Sequence, residues 1–332
     1  MPIQHACISQ ISFSPESGLS RKRPSSELPT EGGSEQLLAD VKRSFLARIS
    51  REHGSFGVER AERVFGEELG KFLDNSATFL EMCEALAQNM ESLIESQKVS
   101  FDGHLLFFIE KSLGNHFFYL FVTGMNESLT IDADLQITTS RSVDTSSSLY
   151  GIKVDLIEWR EHKHYAYISL LPPRQQDMAA LFYQYTGFVN GIDKSEQTLT
   201  FLNGIENFTQ AIPEEQQKDY RDKVVEYCVE CEEMDSPVDL SILAREVEGI
   251  DRDEFLTAMS DYTPDDKQKL MMDRRSLRQY VKFAGRERDL AISFSAHQLN
   301  NRVQYDAGSD TLSIKGLPNA LRKQLLGHLK EE

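Results

Sequence analysis

No apolar run in this sequence is long enough to cross a bilayer. The most apolar stretch, residues 105–122, is broken by Glu110, Lys111, Gly114, Asn115 and His116, whereas a span needs about 20 consecutive apolar residues. The opening MPIQHACISQI has no basic segment ahead of an apolar one, so it does not read as a secretory signal. A cytoplasmic protein with no membrane partner is expected. Cysteine is scarce, with four in 332 residues, which excludes a disulfide scaffold. Only Cys228 and Cys231 are neighbours, and they have no second pair and no histidine at finger spacing. Three residues apart in a helical pattern, they read as two small apolar groups rather than a metal or redox site.

Catalytic signatures are missing too. There is no GxxxxGK(S/T) phosphate loop, no GxGxxG after a strand, no HExxH and no GxSxG elbow, so neither an enzyme nor a cofactor is expected. The nearest approach to a metal cluster is His162-Lys163-His164 beside Glu158 and Glu161. No third ligand is fixed by spacing, which favours a solvated strand turn over a metal site. Trp159, the one tryptophan, reads as a packing anchor before a base-stacking platform. Cations are outnumbered, 36 against 53 acidic side chains, for a net charge of -17. That balance opposes indiscriminate attraction to nucleic acid, so any DNA contact must be local.

What is present suits two domains, placed at 1–175 and 176–332. Alternation predicts an opening strand at 3–13, then a mobile loop over 14–34 rich in Ser, Pro and Gly. Leu37, Leu38, Val41, Phe45, Leu46 and Ile49 recur at helical spacing, and a second helical run lies within 72–94. Strands follow at 105–109, 117–123, 149–157 and 165–171, with Gly114-Asn115 as a turn and Pro172-Pro173 ending the sheet. From Met178 to Met259 the pattern is helical, interrupted at 187–193, Pro213 and Pro237. The fold class is therefore α+β: a mixed α/β domain with an antiparallel sheet, then a mainly helical region ending in a small basic α/β unit.

Charge is segregated in that second half. Residues 206–266 hold 19 acidic and 5 basic side chains, while residues 273–330 hold 11 basic and 5 acidic. Asp273 is placed to cap a helix running to Ala284, with Gly285 as its stop. On such a helix Arg274, Arg275, Arg278 and Lys282 share an arc of about 100°, apart from Leu277, Tyr280, Val281 and Ala284. Guanidinium forks suit phosphate oxygens, but the same face is equally able to pair with the acidic helices just before it. Alternation predicts a strand over Leu290, Ile292 and Phe294 and a hairpin of 303–305 with 311–314. A last helix near Pro318 carries Arg322 and Lys323. Arg286, Arg288, Arg302 and Lys315 spread over these elements and favour a folded cationic surface.

The run DLAISFSAHQLNNRVQYDAGSDTLSIKGLPNALRKQLL with the preceding DRRSLRQYVKFAG resembles the C-terminal signature of the bacterial nucleoid-associated proteins of the NdpA/YejK type. VDLIEWREHKHYAYISLLP with the following YTGFVNGID, and the opening MPIQHACISQI, are similar to other segments of that family, so the likeness spans the chain. It implies a non-enzymatic, DNA-associated protein of the nucleoid that pairs as a homodimer; contacts made to phosphates would bind double-stranded DNA largely without sequence specificity. It also implies a link to a type II topoisomerase subunit, for which the acidic helices would make this an interaction adaptor. One departure stands out. Where the family has a basic turn of the form Lys-Gly-Arg-x-Gly-Arg-Lys-Val, this chain has LPPRQQDM at 171–178, and only Arg174 is cationic.

Overall fold

The computed structural model describes residues 3–57, 60–112, 114–131, 134–161, 166–246, 252–263, 269–288, 290–295, 299, 302–317 and 319–328. The chain divides into two compact units, Met1–Asp193 with Glu233–Asp235, and Lys194–Glu232 with Ser236–Glu332. In order, the first unit holds β1 (Ile3–Ser14), β2 (Gly18–Lys22), α1 (Gly33–Leu46), β3 (Glu52–Phe56), α2 (Arg60–Leu73), α3 (Phe79–Gln97), β4 (Phe101–Ser112) and β5 (Asn115–Thr123). It continues through β6 (Met125–Ile131), β7 (Ile137–Val143), β8 (Tyr150–Asp155), α4 (Leu156–Glu161), β9 (Ile168–Leu171), α5 (Gln176–Thr186) and β10 (Phe188–Asn190). Helix α5 follows the Pro172-Pro173 pair and still belongs to this unit, where it packs on α2 and α3.

Eight strands form one sheet in the order β10-β3-β9-β8-β5-β4-β1-β2, antiparallel at every pairing. Residues 105–109 and 118–122 are buried without alternation, which requires cover on both faces. Phe45 of α1 meets Phe121 at 5.5 Å between ring centroids on one face, and Phe65 of α2 meets Phe118 at 6.0 Å on the other. Thr78 opens α3 with a capping box: its hydroxyl oxygen accepts from the Glu81 amide at 3.3 Å, and the Glu81 carboxylate accepts from the Thr78 amide at 2.8 Å.

Several expectations need correction. The stretch 14–34 contains β2, which has one large apolar residue, Leu19, in five. Backbone pairing to β1 and the Arg21 ion pairs to Glu84 (2.8 Å) and Glu91 (2.9 Å) hold it, and neither signal registers in hydropathy. Ile49 lies beyond α1 and is 69% exposed. The helical run Phe79, Met82, Cys83, Leu86, Met90 and Leu93 lies wholly on α3, as expected, and only Phe72 and Leu73 at the edge of the 72–94 window belong to α2. Residues 156–157 begin α4 rather than ending a strand, because the Asp155 carboxylate accepts from the Ile157 and Glu158 amides at 3.1 and 3.0 Å. The prolines do not end the sheet: β10 returns to pair with β3 at its edge. The β6–β7 ribbon has no counterpart among the expected strands; Ile131 and Ile137, directly opposed, are 69% and 74% exposed. His162, Lys163 and His164 lie outside the described residues. Trp159 sits on α4 and packs on Phe56 at 5.1 Å.

On the α1 side the sheet carries buried charge. Asp235 receives His53 Nε2 at 2.8 Å, Ser169 Oγ at 2.5 Å, Lys153 Nζ at 3.1 Å and an Arg51 guanidinium nitrogen, and all five residues are buried. Burial first, then the charges of Arg51 and Lys42, pull the Lys153 ammonium down to about 7. An unfolded lysine keeps its proton up to about 10.4, so between those values the unfolded chain holds more protons and stability rises with pH. Lys153→Met should therefore flatten the climb of the urea midpoint between pH 7 and 9; an unchanged slope would remove Lys153 as its source.

The second unit holds α6 (Lys194–Thr209), α7 (Glu214–Glu233, to Glu232 in this unit), β11 (Val238–Asp239), α8 (Leu240–Glu246), α9 (Arg252–Met259) and β12 (Lys269–Leu270). They are followed by α10 (Arg274–Val281), β13 (Lys282–Glu287), β14 (Leu290–Ser295), β15 (Val303–Asp306), β16 (Thr311–Ile314) and α11 (Asn319–His328). Its core gathers Phe201, Ile205, Val224, Leu243, Phe255 and Met259, with Cys228 and Cys231 among them. Burial raises both thiols, so they stay protonated and act as packing groups. Gly204 has a reason of its own: a Cβ there would lie 2.7 Å from the Tyr262 ring, so only glycine lets that ring close on α6.

Candidate nucleic-acid interface

The cationic elements start at Asp273. Its carboxylate accepts from the Ser276 amide at 2.7 Å and the Ser276 hydroxyl at 2.9 Å, which starts α10 as its sequence implies. The buried side of α10 is fixed by Leu277, 1% exposed, and Ser276, whose hydroxyl lies 3.1 Å from that of Ser195. Tyr280 donates its phenol proton to Glu206, which also accepts from Arg221 at 2.6 Å. At 100° per residue, Arg274, Arg275 and Arg278 fall on the remaining arc.

Helix α10 ends at Val281, not Ala284, and this is the main correction at the site. Residues 282–287 pair antiparallel with 290–295, Phe283 opposite Phe294 and Gly285 opposite Ile292. The cross-strand aromatic pair, at 5.5 Å, commits Phe283 to a two-residue period that a helix would break. Lys282 thus leaves the helical arc and begins a strand. Register puts Arg286 on the side away from Phe283, Ile292 and Phe294. These three line a hollow of about 370 Å³ with Tyr305 and Leu312, so the β13–β14 and β15–β16 hairpins face each other through their apolar sides. The expected hairpin is present, with Asp306 opposite Thr311.

Most of the cations are turned to solvent. Arg275, Arg278, Arg286, Arg288, Lys315, Arg322 and Lys323 are exposed, and none of the seven makes an ion pair among the described residues. Two behave differently. Arg274 is half-buried and pairs with Glu232 of α7 at 2.5 Å, the internal neutralisation that charge patterning allows. Arg302 donates to the carbonyls of Lys315, at 3.3 Å, and Gly316, so its fork closes the base of the β15–β16 hairpin. Arg174 belongs to the first unit, where it is exposed. The acidic segment spends part of its charge internally: Glu206 on Arg221 and Tyr280, Asp219 on Lys223 at 3.1 Å, and Asp239 on the Ser241 and Ile242 amides. No group of three metal-ligating side chains occurs among the described residues, and no described helix is long and apolar enough to cross a membrane.

Comparison with known proteins covers this whole arrangement. The family model described as nucleoid-associated protein YejK matches residues 12–322. The chain is 27% identical over 330 residues to a nucleoid-associated protein of Pseudomonas putida, covering 98% of both chains. It is 28% identical to that of Pseudomonas entomophila, again over 98% of both. Against that of Pseudomonas aeruginosa it is 28% identical over 98% of this chain and 97% of the relative.

Proposed function

The chain belongs to the nucleoid-associated protein YejK family, and from that premise we propose that it binds double-stranded DNA, largely irrespective of sequence, through the cations of α10, β13 and α11 together with Arg288 after β13 and Lys315 after β16. Such a role places it at the nucleoid, as the family's description implies. One observation carries the reading: seven exposed arginine and lysine side chains of residues 275–323 lack an ion pair among the described residues, on a protein whose net charge is -17. Cations kept apart from so many carboxylates remain available to phosphates. Arg274 and Arg302 stand outside this surface, the first neutralised by Glu232 and the second engaged with backbone carbonyls. Contacts of this kind position a protein on the duplex without reading bases.

Fluorescence anisotropy with two unrelated 25-base-pair duplexes tests it. A footprint of about six phosphates predicts affinity falling roughly 10³-fold between 50 and 200 mM salt, with the two duplexes bound within a few-fold of each other. Binding insensitive to salt, or absent at 50 mM, would overturn the reading.

A further inference from the structure

We propose that a cavity in the first unit, beneath the Pro172-Pro173 turn, is a binding site for a small organic anion with a flat apolar body. The hollow measures about 440 Å³, within the range of metabolite sites. Its wall is made by the turn after β9, the start of β4, the start of β8 and the segment after α1, and so includes Arg174, Phe101, Tyr150 and Arg48. This lies apart from the cations assigned to DNA, and the inference does not rest on that assignment.

Two features of the wall specify the ligand. Two guanidiniums, Arg48 and Arg174, face one carboxylate, Asp102, an excess that suits an anion. Arg174 makes no ion pair among the described residues, and Arg48 spends a donor on the Ser146 carbonyl rather than on an acid. Guanidinium forks bind phosphate and carboxylate oxygens in pairs. Phe101, Leu171 and Pro172 offer an apolar surface for a ring.

Calorimetric titration of the full chain, without DNA, tests this with adenosine monophosphate and benzoate as the two anion chemistries, and adenosine and inorganic phosphate as the separate halves. The expected result is saturable binding of at least one of the two anions, tighter than about 1 mM, with adenosine and phosphate each at least tenfold weaker than the nucleotide. Arg174→Ala or Arg48→Ala should weaken binding about tenfold. Arg174→Ala should also leave DNA affinity unchanged, which separates this site from the DNA surface. Binding of neither anion, equal binding of adenosine and its monophosphate, or full affinity in both Arg48→Ala and Arg174→Ala would each overturn the assignment.

Discussion

Asp235→Ala is expected to destabilise the first unit by about 3–5 kcal/mol, the usual consequence of removing one partner from a buried charge cluster. The carboxylate is 1% exposed and is the shared acceptor for Arg51, His53, Lys153 and Ser169. Without it, the Arg51 and Lys153 side chains, 2% and 7% exposed, keep their desolvation penalty and lose a main counter-charge. The loss is large against total stabilities of about 5–15 kcal/mol. Asp235 also holds a left-handed backbone, φ 53°, which Asp and Asn tolerate and alanine does not. Asp235→Asn should therefore be milder than Asp235→Ala, keeping the backbone preference while losing the charge. Ser169→Ala, which removes a neutral donor, should lose only about 1 kcal/mol.

A double-mutant cycle separates electrostatics from packing. If unpaired cations cause the loss, Asp235→Ala/Lys153→Met should recover part of it, with a coupling of about 0.5–3 kcal/mol. The one tryptophan, Trp159, lies in this unit, so its fluorescence in urea reports the relevant transition. A change below about 1 kcal/mol for Asp235→Ala would show that the cluster contributes little to stability.

Hydrophobic periodicity makes the first unit's centre readable: the runs around Phe107 and Phe121, and the α3 stripe from Phe79 to Ile94, are buried as their patterns imply. It fails where other forces decide the backbone. Strand β2 rests on the Arg21 ion pairs with α3, partners more than 60 residues away in sequence. The turn from β8 into α4 depends on one carboxylate capping two amides. The Asp235 cluster gathers residues from positions 51, 53, 153, 169 and 235, a convergence that no local spacing encodes. At the cationic site the charge switch near Asp273 is visible in the sequence, but the strand at Lys282 is not. An amphipathic helix and an amphipathic strand both place Phe283 and Lys282 on separate sides, and only the Phe283–Phe294 pairing chooses between them.

That distinction shapes the second large expected effect. Arg275→Ala/Arg278→Ala/Arg286→Ala should lower DNA affinity at 50 mM salt by roughly 10²- to 10³-fold and reduce the slope of log affinity against log salt by about 3, near 0.9 for each phosphate no longer neutralised. The three side chains are exposed and leave no carboxylate stranded, so the folded state should change by less than about 0.5 kcal/mol for each substitution. Arg274→Ala removes the same formal charge from the same helix, yet its guanidinium sits 2.5 Å from Glu232. It should lower stability and leave the salt slope near that of the parent. The contrast between adjacent arginines distinguishes a local phosphate surface from a general effect of net charge, since all four substitutions make the protein equally more acidic per residue changed. Equal slopes for Arg274→Ala and Arg275→Ala would mean that DNA senses only total charge, and the proposed surface would lose its basis.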